Sequence, residues 1–383
     1  MRVLLFAGHF IQYSIELANG LAEAGAEVGL VFHEGSGTEL VGERWRELLH
    51  ERVEFIGKPG KPVMKPWTRS FLKNFAWVKH AVRKFKPDVI HLQDGNDFAT
   101  LLMIWRTHFP VVVTLHDIVA HPGDEKHRSW KMEFLINRVL MPRARKHRFQ
   151  FIVHGDRLRS DFVEHWDAPA DSVHTVPHGI LASFAQPGES LEGVGVGDPP
   201  GPALFFGRMQ PYKGLEVFVQ ALPQVVAAVP DAKFVIAGRG RSLDAVREEL
   251  LKFPQVELRD QYIQSEEVAE LYRQASVNLA PYIEASQSGV IAAGYAFGVP
   301  SIATRVGALP EVVIDGENGL LVDPGDVDGF ATSLIRYLGD SKLRLQLQAG
   351  VRAWAKGPLS WSHVAEKSLE VYDQACRKRD SGS

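Results

Sequence analysis

ALFFGRMQPYKGLEVFVQAL, residues 203–222, sets how the rest of the chain is read. ALFF is a short, wholly apolar run of the strand type. GRMQPYKG holds two glycines and a proline and reads as a turn. A helix starts behind it, near 214–229. Arg208 and Lys213 stand five residues apart in the turn. Arg supplies a planar fork of donors and Lys a point charge, so the two could grip two phosphates of one diphosphate. A leaving nucleoside diphosphate gains negative charge as its bond breaks, and fixed cations there lower the barrier. The alternative is a pair of solvated surface cations.

The same strand–turn–helix unit recurs in both directions. Downstream follow KFVIAG (233–238), a helix near 242–252, VELRDQ (256–261), a helix near 265–275, VNLAPY (277–282), a helix near 288–297 and PSIAT (300–304). GLLVDPG (319–325) and a long helical tail close the chain. Upstream are RVLLFAG (2–8), a helical IELANGLAEAG (15–25), EVGLVFH (27–33), DVIHLQD (88–94), VVVTLHD (111–117), FQFIVHG (149–155) and SVHTVPHG (172–179). Apolar strands separated by helices predict parallel sheets covered on both faces. Between the two series, residues 186–202 are rich in Gly and Pro and read as a linker. A chain of 383 residues has room for two domains. The expected division is 1–185, the linker 186–202, 203–355, and a last helical segment, 356–383. Ligands of doubly wound sheets sit outside the carboxyl ends of the strands, where most of the polar residues discussed here fall.

Composition narrows the class. The single Cys376 excludes an intramolecular disulfide and fits a reducing compartment. No apolar run reaches the length of a spanning helix, and the N-terminus lacks a signal-peptide plan, so a cytoplasmic location is expected. Formal net charge is only −3, but the first 185 residues carry 24 Lys and Arg against 21 Asp and Glu, and the remainder 19 against 25. Residues 58–86 hold nine basic residues and no acidic one. Trp67, Phe71, Phe75 and Trp77 interleave with them. Such a segment either lies on an anionic membrane surface or packs its aromatic side on the sheet. The acidic second half and the lack of a nucleic-acid motif argue against nucleic acid as the partner.

Three further motifs stand at strand ends. In PYIEASQSGVIAAGYAFGVPSIAT (281–304) a small polar loop precedes a helix beginning near Ser288. Backbone N–H groups at a helix start make an anion site, and Ser288 is also a helix cap. His116 ends VVVTLH, where it could meet a substrate hydroxyl or bond to backbone. Gly8 follows the first strand, outside any G-x-G-x-x-G pattern. Fourteen of the fifteen His precede residue 185, but none pair with zinc-site spacing, so no metal site is expected.

Taken together, FFGRMQPYKGLEVFVQAL, KFVIAGRG, LYRQASVNLAPY, AFGVPSIATRVGALPEVV and DGENGLLVDPGD resemble the retaining glycosyltransferases of family 4. The resemblance implies a GT-B fold, two Rossmann-like α/β domains facing a central cleft. It implies a nucleoside-diphosphate sugar as donor, a UDP- or GDP-sugar, and a saccharide or lipid-linked acceptor, without metal. Arg208 and Lys213 match its diphosphate-binding pair. Ser286, Gln287, Ser288, Gly289 and Val290 match the loop that holds the distal phosphate and the sugar. Gly207 lies at the donor site, and Tyr262 and Ile263 match the nucleobase region. His116 matches a His near the transferred sugar, and Gly8 the loop facing the donor. The terminal helix, about 361–377, is expected to cross back to the first domain.

There is one departure. The family carries two Glu eight residues apart; here those positions are Ala285 and Ala293. Glu284 stands one residue early and is the catalytic candidate by proximity. Two other readings stay open: a sugar-nucleotide epimerase on the same fold, or, favoured by the missing Glu, a non-catalytic sugar-nucleotide-binding protein. Peripheral attachment to the inner face of the membrane is expected through 58–86.

Overall fold

The computed structural model describes residues 1–58, 69–93, 100, 107–118, 141–145, 149–185 and 197–381. These form two compact units. The first gathers its described residues from Met1–Ile118, Trp130–Gly179 and Ser360–Ser383, the second from Ile180–Leu359. Ile180–Ala185 thus group with the second unit, six residues earlier than the sequence boundary. Most of the 186–202 linker and the segment 59–68 lie outside the described residues.

The first unit is built on seven parallel strands: β1 (Arg2–Phe6), β2 (Glu27–His33), β3 (Val53–Lys58), β4 (Val89–Gln93), β5 (Val111–Thr114), β6 (Phe149–Val153) and β7 (Val173–Thr175). Their spatial order is β3-β2-β1-β4-β5-β6-β7. The inner strands β4, β5 and β6 are buried along their whole length, as a sheet covered on both faces requires. β3, absent from the sequence reading, is an edge strand that buries only Val53 and Lys58 of its six residues. Half-exposed and carrying Glu54 and Gly57, it lacks the continuous apolar run that marks its neighbours.

The second unit has six parallel strands: β8 (Ala203–Phe206), β9 (Phe234–Ala237), β10 (Val256–Arg259), β11 (Val277–Ala280), β12 (Ser301–Thr304) and β13 (Gly319–Val322). Their order is β10-β9-β8-β11-β12-β13. One core cluster joins Phe205, Phe218, Phe234, Ile236, Leu279, Ile302, Phe330 and Tyr337. Helix starts are capped where the sequence supplies the group. Asp326 accepts from the Gly329 N–H at 2.9 Å and Asp340 from the Leu343 N–H at 3.0 Å; each such cap is worth about 1 kcal/mol.

In both sheets the strand order reverses direction once, between β1 and β4 and between β8 and β11. Crevices form at such switch points, outside the carboxyl ends of the strands. In the second unit that places the loops after Phe206 and after Ala280 side by side.

The last helix, Trp361–Ser381, packs in the first unit against the helix Ile11–Glu23. Gly20 makes this possible, since a Cβ there would lie 2.7 Å from the Trp361 carbonyl oxygen. The Tyr13 and Trp361 rings meet at 5.1 Å, and Tyr372 reaches His91 with a 2.6 Å hydrogen bond. Among the described residues, no helix is long and apolar enough to cross a membrane.

Candidate functional site

In the second unit, β8 ends at Gly207, whose φ of +117° favours glycine. A Cβ at Gly207 would lie 3.2 Å from the Lys213 Nζ and 3.5 Å from the Val290 side chain. The strand end, the lysine ammonium and the first turn of the helix Gly289–Ala296 therefore converge on one spot. The turn between is a short 3-10 helix, Pro211–Lys213. It ends at Gly214 (φ +68°), where a Cβ would run into the Pro281 carbonyl. That contact draws the β8 loop against the β11 loop, and the Ile283 N–H completes it with a 2.8 Å bond to the Tyr212 carbonyl.

Lys213 is 6 % exposed. Its Nζ donates to the Tyr282 hydroxyl at 3.0 Å and lies 4.8 Å from the centre of the Tyr282 ring. Among the described residues no carboxylate pairs with it. Burial pushes the ammonium pKa down, while Tyr282 and Tyr212 push it up and prevail. Arg208, on the same loop, is exposed, and its charge is close enough to oppose that of Lys213.

The β11 loop supplies the other wall. Ser288 is the N-cap of the helix Gly289–Ala296 and accepts from the Ile291 N–H at 3.3 Å. The next N–H groups outward, on Gly289 and Val290, have no intrahelical partner. Ser286 is buried, and its carbonyl takes the Ala308 N–H at 3.0 Å, which ties the loop to the one after β12. The Gln287 Oε1 is a buried acceptor with no partner among the described residues. Glu284 is half-buried. Ala285 and Ala293, which offer no carboxylate, are both buried. Tyr262 is 53 % exposed and Ile263 buried, both in the loop after β10.

In the first unit, Gly8 follows β1 and is half-buried, and His116 follows β5 and is fully buried. His116 stacks on Phe10 at 3.8 Å and its Nε2 is 2.8 Å from the Gln93 Oε1. Its Nδ1 is 3.2 Å from the His154 Nε2. His154 in turn donates from Nδ1 to the Val176 carbonyl at 3.0 Å. Tyr13 touches the rings of His116, His154 and His178. Burial holds His91 and His154 down at about 3 and His178 at about 4, so these three are neutral near pH 7. The first unit's surplus of His is thus partly a packed core. Among the described residues no three His, Cys, Asp or Glu are grouped to hold a metal.

Of the expected residues, Gly207, Lys213, Ser288, Gly289 and Val290 share one neighbourhood of the second unit, with Arg208 on the same loop. Tyr282, which holds Lys213, carries only a weak signal in the sequence, an aromatic residue directly after a strand, which is a common core position.

The family model of Glycosyltransferase Family 4 matches residues 12–183. That of Glycosyl transferases group 1 matches residues 202–340, the stretch holding both loops. The chain belongs to the family 4 glycosyltransferases. It is 26% identical to the D-inositol 3-phosphate glycosyltransferase of Corynebacterium diphtheriae, over 96% of this chain and 90% of that protein. It is 28% identical to the phosphatidyl-myo-inositol mannosyltransferase of Mycolicibacterium smegmatis, over 94% and 88%. Among solved structures, Anabaena HepE in complex with UDP-glucose is similar with a TM-score of 0.65 at 18% identity, covering 97% of this chain and 98% of that one. This glycosyltransferase has the two doubly wound sheets of the GT-B architecture. It is an enzyme of sugar transfer, and the epimerase and non-catalytic readings are not favoured.

Proposed function

We propose that this glycosyltransferase moves a sugar, with retention at the anomeric carbon, from a nucleoside-diphosphate sugar bound on its second unit. The observation that carries the reading is Lys213, a buried cation without a carboxylate partner among the described residues. A buried charge needs a counter-charge, and a diphosphate supplies it. Arg208 and the first turn of the helix at Gly289 and Val290 would take the remaining phosphate oxygens. As the bond to the sugar breaks, the diphosphate gains negative charge, and these fixed donors stabilise it without reorganising. Gln287 would accept from a sugar hydroxyl through its unpartnered Oε1. Ser286 and Glu284 belong to the same loop, Tyr262 and Ile263 to the nucleobase region, and His116 and Gly8 to the reacting sugar and its acceptor.

The donor is proposed as a UDP- or GDP-sugar, and the acceptor as a saccharide or a lipid-linked group. The solved likeness with UDP-glucose and the relatives named for inositol phosphate and phosphatidylinositol support these classes. Peripheral attachment to an anionic membrane is proposed through the basic helix Arg69–Phe85. Its Phe71, Val78, Ala81, Val82 and Phe85 are buried, while Arg69, Lys73, Lys79, Arg83 and Lys84 are exposed. Attachment would therefore be electrostatic, with Leu72 the exposed large apolar residue on the helix.

The test is thermal shift and turnover of the purified protein with UDP-, GDP-, ADP- and dTDP-sugars, with and without acceptor extracts. One nucleotide should stabilise the fold, and its release should need acceptor. Arg208→Ala and Lys213→Ala should each lower turnover by about 10²-fold or more. Near-wild-type turnover in both would remove the reading.

A further inference from the structure

The hydrogen bond of the Lys213 ammonium to a side chain is to Tyr282. Tyr282, which takes its hydrogen bond, is 2 % exposed and anchored at its own backbone. Its N–H donates to the Ala280 carbonyl at 2.8 Å, and its carbonyl accepts from the Thr304 Oγ1 at 2.5 Å. The Tyr282 hydroxyl also lies 3.3 Å from the Ser288 Oγ. One phenol therefore touches both the lysine and the cap of the helix that begins at Gly289.

The hydrogens can be counted. An ammonium donates and cannot accept, so the Tyr282 oxygen accepts from Lys213. The two hydroxyls, Tyr282 and Ser288, share one hydrogen between them. In either order, one O–H of the pair has no partner among the described residues. With Ser288 the more exposed of the two, and its oxygen already taking the Ile291 N–H, that hydrogen belongs to Ser288 and points outward. Lys213 keeps two N–H groups, and Gly289 and Val290 contribute one each. These N–H groups and the Ser288 O–H are all donors, so the ligand chemistry they fit is an oxyanion that only accepts.

We propose that Tyr282 is a positioning residue for Lys213, and that Lys213, Tyr282 and Ser288 form a one-way relay that aims a lysine N–H and a serine O–H at the donor diphosphate. This rests on the reading of Lys213 as a diphosphate ligand. Tyr282→Phe keeps the ring beneath the ammonium but removes the oxygen that fixes its direction and hands the serine its orientation. The loss should be felt most where negative charge develops, so kcat should fall about tenfold while KM for the donor moves less than about threefold. Ser288→Ala should lower kcat several-fold. The double variant should be about as slow as Tyr282→Phe alone, because the two act as one unit.

The experiment is steady-state kinetics of these three variants with the nucleotide-sugar that stabilises the wild type, together with thermal shift by the free nucleoside diphosphate. A smaller diphosphate-induced shift for Tyr282→Phe, with the kcat loss and the non-additive double, is the expected result. A kcat within about twofold of wild type in Tyr282→Phe, or strictly additive losses, overturns the relay. Should Tyr282→Phe not fold, Ser288→Ala decides, and a wild-type kcat there overturns it. Lys213→Ala separates the two levels. If it is inactive while Tyr282→Phe is unaffected, the relay fails and the diphosphate site stands. If Lys213→Ala turns over normally, the site itself fails.

Discussion

Lys213 and Tyr282, 69 residues apart in sequence, meet at 3.0 Å between Nζ and hydroxyl. The contact satisfies one of three ammonium N–H groups, and the ring face 4.8 Å away offsets only part of the charge. Such a site is held at the expense of stability. Lys213→Met keeps the stem and removes the buried cation, so the thermal midpoint should rise by about 2–6 °C. The same variant should lose the stabilisation that nucleoside diphosphate gives. A midpoint lower than wild type would show the ammonium to be compensated within the fold.

Arg208 provides the contrast. It is exposed on the same loop, where interactions of a charge are worth little. Arg208→Ala should leave the thermal midpoint of the free protein within about 1 °C of wild type, while the diphosphate-induced shift falls. A large loss of stability without ligand would point to a structural role instead.

Acid should weaken the first unit. Its buried His91 and His154 stay neutral down to about pH 3, and His178 down to about pH 4, against an ordinary value of 6.5. Below pH 6.5 the unfolded chain binds protons that the folded unit refuses. The contribution is therefore fully present above about 6.5 and is lost as pH falls, toward 4 for His178 and toward 3 for His91 and His154. Each group adds up to about 1.4 kcal/mol per pH unit within that window. The thermal midpoint should fall on going from pH 7 to pH 5, and a flat profile would contradict the assignment.

Gly214 and Gly25 separate strain from collision. Both have positive φ, +68° and +89°. At Gly25 a Cβ meets nothing within 4 Å, whereas at Gly214 it strikes the Pro281 carbonyl. Gly25→Ala should cost about 1–2 kcal/mol. Gly214→Ala should cost clearly more and also reduce turnover, since it forces the β8 and β11 loops apart. Equal costs in denaturant melts would mean that the loops yield freely.

The basic helix Arg69–Phe85 makes a charge prediction. Lys73→Glu, Lys79→Glu and Arg83→Glu combined should abolish sedimentation with anionic vesicles, and salt should weaken the wild-type interaction. Equal wild-type binding to neutral vesicles would remove the electrostatic basis.

Most of the fold was legible because parallel strands buried on both faces leave unbroken apolar runs, as in VVVT (111–114) and FVIA (234–237). β3 was not legible, since its VEFIGK run is broken by the exposed Glu54 and Gly57. The Arg208 and Lys213 turn could be read from its glycines and proline, but not which of the two cations would be buried. That follows from Tyr282 and Gly207, which approach Lys213 only once β8 and β11 are neighbours. The cluster of His116, His154 and His178 likewise comes from three different strand ends, and no spacing in the sequence announces it.

The return of the last helix to the first unit makes the second unit an insertion within the first. On the ribosome the chain emerges from its N-terminus. The described part of the second unit, Ile180–Leu359, has all emerged while the first still lacks Trp361 and Tyr372. Until then Tyr13, Gly20 and His91 have no helix against them. The unit begun first is the one finished last, and premature release of the nascent chain would leave it open while its insert is already whole.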